Sequence, residues 1–133
     1  MASIFSKIIK GEIPSYKIAE DELFFAFLDI NPIQRGHTLV IPKCEVDKLF
    51  DLPDEYLGKM LLFARPIARA IEQCVPCLRC GVNVLGLEVP HAHMHLIPLH
   101  SANDMNNTLP KIKFTASEFA RLRDQLVAAF QGA

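Results

Sequence analysis

Residues 90–98 read Pro-His-Ala-His-Met-His-Leu-Ile-Pro and contain three of the chain's five histidines, at alternate positions. Alternate side chains of a β-strand point to the same face of the sheet, about 6.6 Å apart. On a helix the same spacing would scatter the three rings around the axis. The apolar residues between the histidines suit a buried opposite face. We therefore predict a strand over residues 91–98 that carries a row of imidazoles.

Such a row has three possible uses. Imidazole acts as a nucleophile, a proton donor, a hydrogen-bond donor or a metal ligand near neutral pH. The row can bind and attack an anion such as phosphate, hold a metal ion, or be purely structural. Along an undistorted strand the outer rings lie about 13 Å apart, so all three cannot ligate one ion at about 2 Å. Two of the three histidines together with His37 or His100 can ligate one ion. The spacing therefore leaves all three uses of the row open.

Periodicity predicts an α+β fold, with a mostly antiparallel sheet of about five strands, a long helix and a C-terminal helix. The long helix covers residues 53–73, where apolar residues recur at three- and four-residue steps. Pro66 within it predicts a kink or a break. Thr115 and Glu118 match a capping box at the start of the C-terminal helix. The other predicted elements are a short helix over residues 4–10 and strands over 16–20, 23–29, 37–41 and 81–85.

The composition excludes several classes of protein. The chain of 133 residues is half hydrophobic and 22% charged, which argues against disorder, and its net charge of −1 gives no electrostatic basis for binding nucleic acid or membranes. No apolar run approaches the roughly 20 residues of a membrane span, and the N-terminus lacks a secretion signal. We expect a cytoplasmic protein with reduced cysteines. Cys74, Cys77 and Cys80 are interpreted as small apolar residues between a helix and a strand rather than as a metal site.

Three blocks of the sequence resemble the histidine triad (HIT) superfamily of nucleotide hydrolases and transferases. Residues 91–97 resemble its signature of three alternate histidines with apolar residues between and after them. Residues 4–14 resemble the opening of its bacterial, Hint-like branch. Residues 27–32, followed by residues 36–43, resemble the next block of that branch.

The resemblance implies a role for each matching polar residue. His93, the middle histidine, would attack the α-phosphorus of a nucleotide and form a nucleotidyl-histidine that water then hydrolyses. His95 would hydrogen-bond the phosphate, while His91 would order the row and hold the tautomer of His93. His37 would line the same site. Asp29 matches the carboxylate that accepts hydrogen bonds from the ribose hydroxyls.

The resemblance also implies a purine site with apolar walls, although each wall residue can equally belong to the core. The implied contacts are Ile4, Phe5, Ile8, Phe27 and Ile30. Asn83 matches a family asparagine near the ribose and phosphate if a short gap is allowed.

The loop before the first histidine departs from the family pattern. Residues 86–89 read Gly-Leu-Glu-Val, where the family commonly has Gly-Gln-Ser/Thr-Val with a hydroxyl that helps hold the α-phosphate or leaving group. Gly86 and Glu88 are therefore candidate site residues. A carboxylate about 4 Å from a phosphate charge is repelled by about 4 kcal/mol at an effective dielectric near 20. Glu88 turns away toward a cation or histidine, is protonated, or marks a different substrate.

These implications predict a hydrolase of purine nucleoside phosphoramidates or related nucleotide conjugates that releases a nucleoside monophosphate. We expect a single HIT-like domain over residues 1–133, with a core at 4–98 and a C-terminal loop and helix at 99–133. We also expect a homodimer and no required metal or cofactor. Two alternatives stay open. A dinucleoside polyphosphate hydrolase or nucleotidyl transferase differs in its leaving group, and a nucleotide- or zinc-binding regulatory module lacks turnover.

Overall fold

The computed structural model describes residues 2–131 of the chain. The strands are β1 (Lys17–Glu20), β2 (Phe24–Leu28), β3 (Thr38–Pro42), β4 (Arg79–Asn83) and β5 (Met94–Leu99). The α-helices are α1 (Ile4–Ile9), α2 (Asp54–Cys74) and α3 (Ala116–Gln131), with short 3-10 helices at Leu49–Asp51 and Ala102–Met105. The sheet has the order β1-β2-β3-β5-β4 and every neighbouring pair is antiparallel. The architecture is the predicted α+β fold.

Strands β2 and β3 are buried along their whole length because both faces of the sheet are covered. On one face, Phe24 packs with α2 and α3 in the larger hydrophobic core. On the other face, Phe27 packs with Phe5 of α1 in a smaller cluster. Alternate strand residues point to opposite faces, so one strand serves both clusters. The smaller cluster positions the site, because α1 is short and leaves part of its face of the sheet open.

Helix α2 runs without interruption from Asp54 to Cys74, so of the kink or break predicted at Pro66, the break is wrong. Proline removes the hydrogen bond to the carbonyl four residues earlier, here that of Leu62. Leu62 is exposed, so water can solvate the freed carbonyl. On the opposite side of the helix, Ala64 and Ile67 are buried in the core and hold the helix in place around the proline.

The capping box predicted for α3 is present. The backbone N–H of Glu118 donates to Thr115 Oγ1 at 3.2 Å, and the backbone N–H of Thr115 donates to Glu118 Oε1 at 3.1 Å. Both bonds satisfy donors that a helix start would otherwise leave unpaired. The helix then packs on the larger core through Phe119, Leu122 and Leu126.

The histidine segment differs from the prediction, because regular strand structure begins only at Met94. The N–H of His91 donates to the Val89 carbonyl at 2.8 Å, and the N–H of Ala92 donates to the Val46 carbonyl at 2.7 Å. Neither bond belongs to the β3 ladder, whose last pair with β5 joins Val40 and Met94. A strand over residues 91–98 is therefore wrong at its start, and of the three histidines only His95 is a strand residue.

The remaining strand ends lie within two residues of the predicted ones, with β4 beginning two residues earlier than expected. Met1 and residues 132–133, which the predicted domain includes, lie outside the described residues. None of the helices in residues 2–131 is both long and apolar enough to cross a membrane.

Cys74, Cys77 and Cys80 lie where helix α2 is followed by β4. Cys74 ends α2 and Cys80 lies in β4, and burial raises the pKa of the Cys80 thiol to about 12. Within residues 2–131 the cysteines do not gather into a metal-ligand group.

Candidate active site

A cavity of about 370 Å³ lies on the α1 side of the sheet. Its walls come from α1, from β2 and the residues after it, from the 84–93 loop between β4 and β5, and from the segment before α3. Every residue predicted for the site lines this cavity except His91. The predicted residues around it are His37, His93, His95, Asp29, Ile4, Phe5, Ile8, Phe27, Ile30, Asn83, Gly86 and Glu88.

His93 faces the cavity with a hydrogen bond that fixes its tautomer. Its Nδ1 lies 2.8 Å from the backbone carbonyl oxygen of His91. A carbonyl only accepts, so we assign the ring proton to Nδ1. A neutral imidazole carries one N–H, which leaves the lone pair on Nε2. In this tautomer His93 presents a hydrogen-bond acceptor to the cavity rather than a donor.

His91 lies behind the cavity and is completely buried. Its Nε2 lies 2.8 Å from the carbonyl oxygen of Pro42, and its Nδ1 lies 2.7 Å from Ser3 Oγ. Phe5 contacts the rings of both His91 and His93 edge-on, with centroids 5.8 and 5.0 Å away. His91 thus supports the neighbouring histidine and does not reach the cavity.

His37 and His95 form a second linked pair with the opposite polarity. The backbone N–H of Ile33 donates to His37 Nδ1 at 3.2 Å, so the proton of that ring is on Nε2. His37 Nε2 in turn lies 2.8 Å from His95 Nδ1 and donates to it. The remaining proton of His95 is then on Nε2. This pair ends in an N–H donor, whereas His93 ends in a lone pair.

The paired rings are neutral near pH 7. Burial lowers the pKa of His37 to about 4, and the nearby Asp29 carboxylate opposes this shift only in part. Burial, followed by the charges of His37 and His93, also lowers the pKa of His95 to about 4. Burial lowers the pKa of His91 as well. Each ring therefore has one donor and one acceptor, as the assigned tautomers require.

Asp29 follows β2 and its carboxylate is fixed at one oxygen. Oδ1 accepts the backbone N–H of Asn31 at 2.8 Å, and Oδ2 lies 3.5 Å from His37 Nε2. The carboxylate is thus held at the cavity wall on the side of the His37–His95 pair. An oxygen in this position can accept hydrogen bonds from hydroxyl groups of a ligand.

The sequence of this chain is similar to those of known proteins. The family model of the HIT domain matches residues 10–102. The chain belongs to the HIT family. The adenosine 5'-monophosphoramidase of Saccharomyces cerevisiae is 45% identical over 98 residues, which cover 73% of this chain and 62% of the yeast protein.

Solved HIT structures share the fold over nearly the whole length. A HIT-like protein from Bartonella henselae is 30% identical with a TM-score of 0.82, and the match covers 96% of this chain and 95% of that one. A zinc-bound histidine triad family protein from Mycobacterium smegmatis is 30% identical with a TM-score of 0.81, covering 99% and 95%. The predicted HIT fold is confirmed.

Asp29, His37 and His95 bring ligand atoms within 4.8 Å of one another, close enough together to hold one metal ion. The hydrogen bonds do not suit that use. His37 Nδ1 accepts the Ile33 N–H, so the neutral ring has its proton on the Nε2 that would have to bind the ion. Metal binding would break both this bond and the bond from His37 to His95. The group fits a hydrogen-bonded relay better than a metal site.

The apolar residues of the cavity fall into two sets. Phe5, Ile8 and Phe27 are buried members of the smaller core cluster, so they are core and cavity wall at once. Ile4 and Ile30 are 49% and 62% exposed although they line the same cavity. Burial in the core therefore does not account for the position of these two isoleucines.

The loop that departs from the HIT pattern also borders the cavity. Asn83 is the last residue of β4 and pairs with His95 in the sheet, which brings it to the site without any assumption about gaps. Gly86 adopts a φ of +69°, a left-handed conformation suited to glycine. Glu88 is exposed, and within residues 2–131 it forms no ion pair that would turn it away from the cavity.

Three polar residues of the cavity wall, Asn31, Asn107 and Lys111, were not predicted from the sequence. Lys111 is the cationic side chain among the described cavity residues, and its charge helps lower the pKa of His37 and His95. Residues 101–110 are polar and rich in asparagine, which is typical of a loop, but this composition singles out no one residue. Nothing in the pattern singled out Lys111, because a lone lysine near a helix start is ordinary.

Proposed function

We propose that this HIT protein hydrolyses purine nucleoside phosphoramidates or related nucleotide conjugates, with His93 as the nucleophile. The observation that supports this most strongly is the hydrogen bond from His93 Nδ1 to the His91 carbonyl. It leaves an Nε2 lone pair facing a cavity whose size suits a small ligand. The 45% identity with a yeast adenosine 5'-monophosphoramidase supports the same class of substrate.

The proposed reaction has two displacements. His93 Nε2 bonds to the α-phosphorus as the bond from phosphorus to the leaving amine breaks, and the amine takes up a proton. Water then bonds to phosphorus as the phosphorus–Nε2 bond breaks, which restores His93 and releases the nucleoside monophosphate. The N–H of His95 donates to a non-bridging oxygen and stabilises the charge that develops there. The sum consumes one water per bond cleaved.

Nucleotide binding uses the walls of the same cavity. Asp29 accepts hydrogen bonds from the ribose hydroxyls, and the purine lies between the exposed side chains of Ile4 and Ile30. Lys111 and Asn83 lie where they can contact the phosphate end. The exposed carboxylate of Glu88 favours a neutral or cationic amine as leaving group over a polyphosphate, because like charges repel. This favours the phosphoramidase over the dinucleoside polyphosphate hydrolase.

Hydrolysis of adenosine 5'-monophosphoramidate in the presence of a chelator tests the proposal. We expect turnover by the wild type and a loss of at least ~1,000-fold in His93→Ala, because nothing else in the site replaces a lost nucleophile. Mass spectrometry of the rapidly quenched wild type should detect an AMP adduct on His93. Absence of turnover by the wild type would favour the regulatory-module alternative, and an active His93→Ala would exclude the proposed nucleophile.

The exposed apolar residues support the homodimer as a further proposal. Leu61 and Leu62 on α2 are 60% and 57% exposed, and Val82 on the edge strand β4 is 51% exposed. Edge strands with unpaired backbone groups readily pair with a second copy. Light scattering should give a dimer mass that shifts toward monomer in Leu62→Glu/Val82→Lys. The surface control Glu22→Ala, in the turn between β1 and β2 at the opposite edge of the sheet from β4, should remain dimeric. A monomeric wild type would contradict this proposal.

A further inference from the structure

Behind the cavity, four polar residues form a hydrogen-bonded cluster that the proposed reaction does not use. Glu45 Oε1 accepts the backbone N–H of Ser3 at 2.5 Å and the hydroxyl of Ser6 at 2.7 Å. Ser3 Oγ accepts the backbone N–H of Ser6 at 3.0 Å and lies 2.7 Å from His91 Nδ1. The cluster ties the start of α1 to Glu45, three residues after β3, and to the loop before β5.

The direction of each hydrogen bond can be assigned. The Pro42 carbonyl only accepts, so His91 carries its proton on Nε2 and Nδ1 is an acceptor. Ser3 has one hydroxyl proton, and two acceptors are near it, His91 Nδ1 at 2.7 Å and Ser6 Oγ at 3.4 Å. We assign the proton to His91 Nδ1 because that contact is much the shorter. The proton of Ser6 goes to Glu45. The two hydrogen bonds that Glu45 accepts hold its pKa at about 2, so the acceptor stays ionised.

The cluster reaches His93 through the backbone. His91 is held at both ring nitrogens, and its own carbonyl accepts the Nδ1 proton of His93 at 2.8 Å. That bond keeps the His93 lone pair on Nε2. A change in the tautomer or orientation of the buried His91 would move the carbonyl that sets the tautomer of His93.

We propose that Ser3 and Glu45 are positioning residues that hold His91 in one tautomer and so present the Nε2 lone pair of His93 to the substrate. Ser3 acts as a hydrogen-bond donor, and Glu45 orients Ser3 by accepting its backbone N–H. The inference about catalysis rests on the proposed function. The inference about tautomers does not.

A competing explanation is that Ser3 only caps α1. Its hydroxyl oxygen does accept the Ser6 N–H, and α1 carries three residues of the cavity wall. Capping and donation can be separated by substitution. Glycine is nearly as good an N-cap as serine but has no donor, alanine lacks both properties, and threonine keeps both. A capping role predicts near-normal behaviour for Ser3→Gly, whereas a donor role predicts that Ser3→Gly and Ser3→Ala are alike.

Two measurements on the full chain test the proposal. The first is the imidazole nitrogen shifts of ¹⁵N-histidine-labelled protein, which report the tautomer of each ring. The second is the steady-state hydrolysis of adenosine 5'-monophosphoramidate. We expect His93 in the Nδ1–H form in the wild type and a mixture in Ser3→Gly and Ser3→Ala. We expect kcat to fall about tenfold in both with KM nearly constant, since about 1.4 kcal/mol of misalignment is a tenfold change. Ser3→Thr should restore both readouts.

Glu45 is tested in the same way. Glu45→Gln keeps an acceptor oxygen for Ser3 and should retain most of kcat, whereas Glu45→Ala should resemble Ser3→Gly. Glu55→Ala, which removes an exposed carboxylate on α2, is the matched control and should change neither readout. Unchanged His93 tautomer and kcat in Ser3→Gly and Glu45→Ala would overturn the proposal. If the wild type does not hydrolyse the substrate, the proposed function fails while the nitrogen shifts still decide the positioning roles.

Discussion

The His37–His95 pair and the His91–His93 pair are each fixed by a backbone group, an N–H for the first and a carbonyl for the second. As a result the first pair presents an N–H donor and the second presents a lone pair. In the His37–His95 pair, the backbone N–H of Ile33 donates to His37 and His37 donates to His95, which leaves the proton of His95 on Nε2. His93 instead donates to a backbone carbonyl, that of His91, and ends in a lone pair. The same side chain thus becomes a donor or an acceptor according to the backbone group behind it. Histidine identity alone does not assign the role.

The comparison predicts that removing the donor His95 slows the reaction but still allows the AMP adduct on His93 to form. In His95→Ala we expect kcat to fall by about 100-fold, because one donor to the developing phosphate charge is lost while the nucleophile remains. An AMP adduct on His93 should still form under rapid quench. If His95→Ala were as inactive as His93→Ala and formed no adduct, the two pairs would not have separate roles.

The buried donor pair also makes stability depend on pH. Burial holds the folded pKa of His37 at about 4, below the unfolded value near 6.5, so the unfolded chain binds more protons between these values. The resulting stabilisation is complete above about pH 6.5 and is lost as the pH falls toward 4. For His37 the loss is on the order of 3 kcal/mol.

Urea unfolding at pH 7, 5.5 and 4 measures this dependence. His37→Asn should flatten the fall in the free energy of unfolding, and the exposed His100→Asn should leave it as steep as in the wild type. An equal slope in His37→Asn would mean that the buried pair is already protonated or does not contribute.

The smallest expected effect concerns the loop that leads to the His91–His93 pair. Glu88→Gln should raise kcat/KM for a dinucleoside polyphosphate by about threefold to tenfold, because an exposed carboxylate repels the extra phosphates only weakly. The value for adenosine 5'-monophosphoramidate should change less. A larger gain for the phosphoramidate would place the carboxylate beside the α-phosphate itself.

Much of the fold follows from local pattern. The period of residues 53–73 predicts α2, and the capping box at Thr115 predicts α3. The start of the histidine strand could not be predicted in this way. Alternation at residues 91–95 fits a strand, but Ala92 pairs with Val46, a contact between distant segments that no local pattern records.

Most residues that line the candidate site could be predicted from the sequence, but the directions of their hydrogen bonds could not. Residues implied by the resemblance surround one cavity, yet His91 is buried behind it and Lys111 was missed. Which ring donates and which accepts depends on Ile33 and on the His91 carbonyl, whose positions only the folded backbone fixes. The Glu45 cluster was also invisible, because Ser3 and Glu45 lie 42 residues apart.

The neutral state of His37 and His95 affects how tightly the reaction product would bind. Near pH 7 His37 and His95 add no positive charge to the cavity, where Asp29 and Glu88 supply carboxylates and Lys111 the cation. Cleavage of a phosphoramidate turns a singly charged phosphate group into one of about −1.5 to −2. The product would thus be more negative than the substrate in a cavity that has not gained positive charge. We expect the protein to bind the nucleoside monophosphate more weakly than its substrate and to be little inhibited by it.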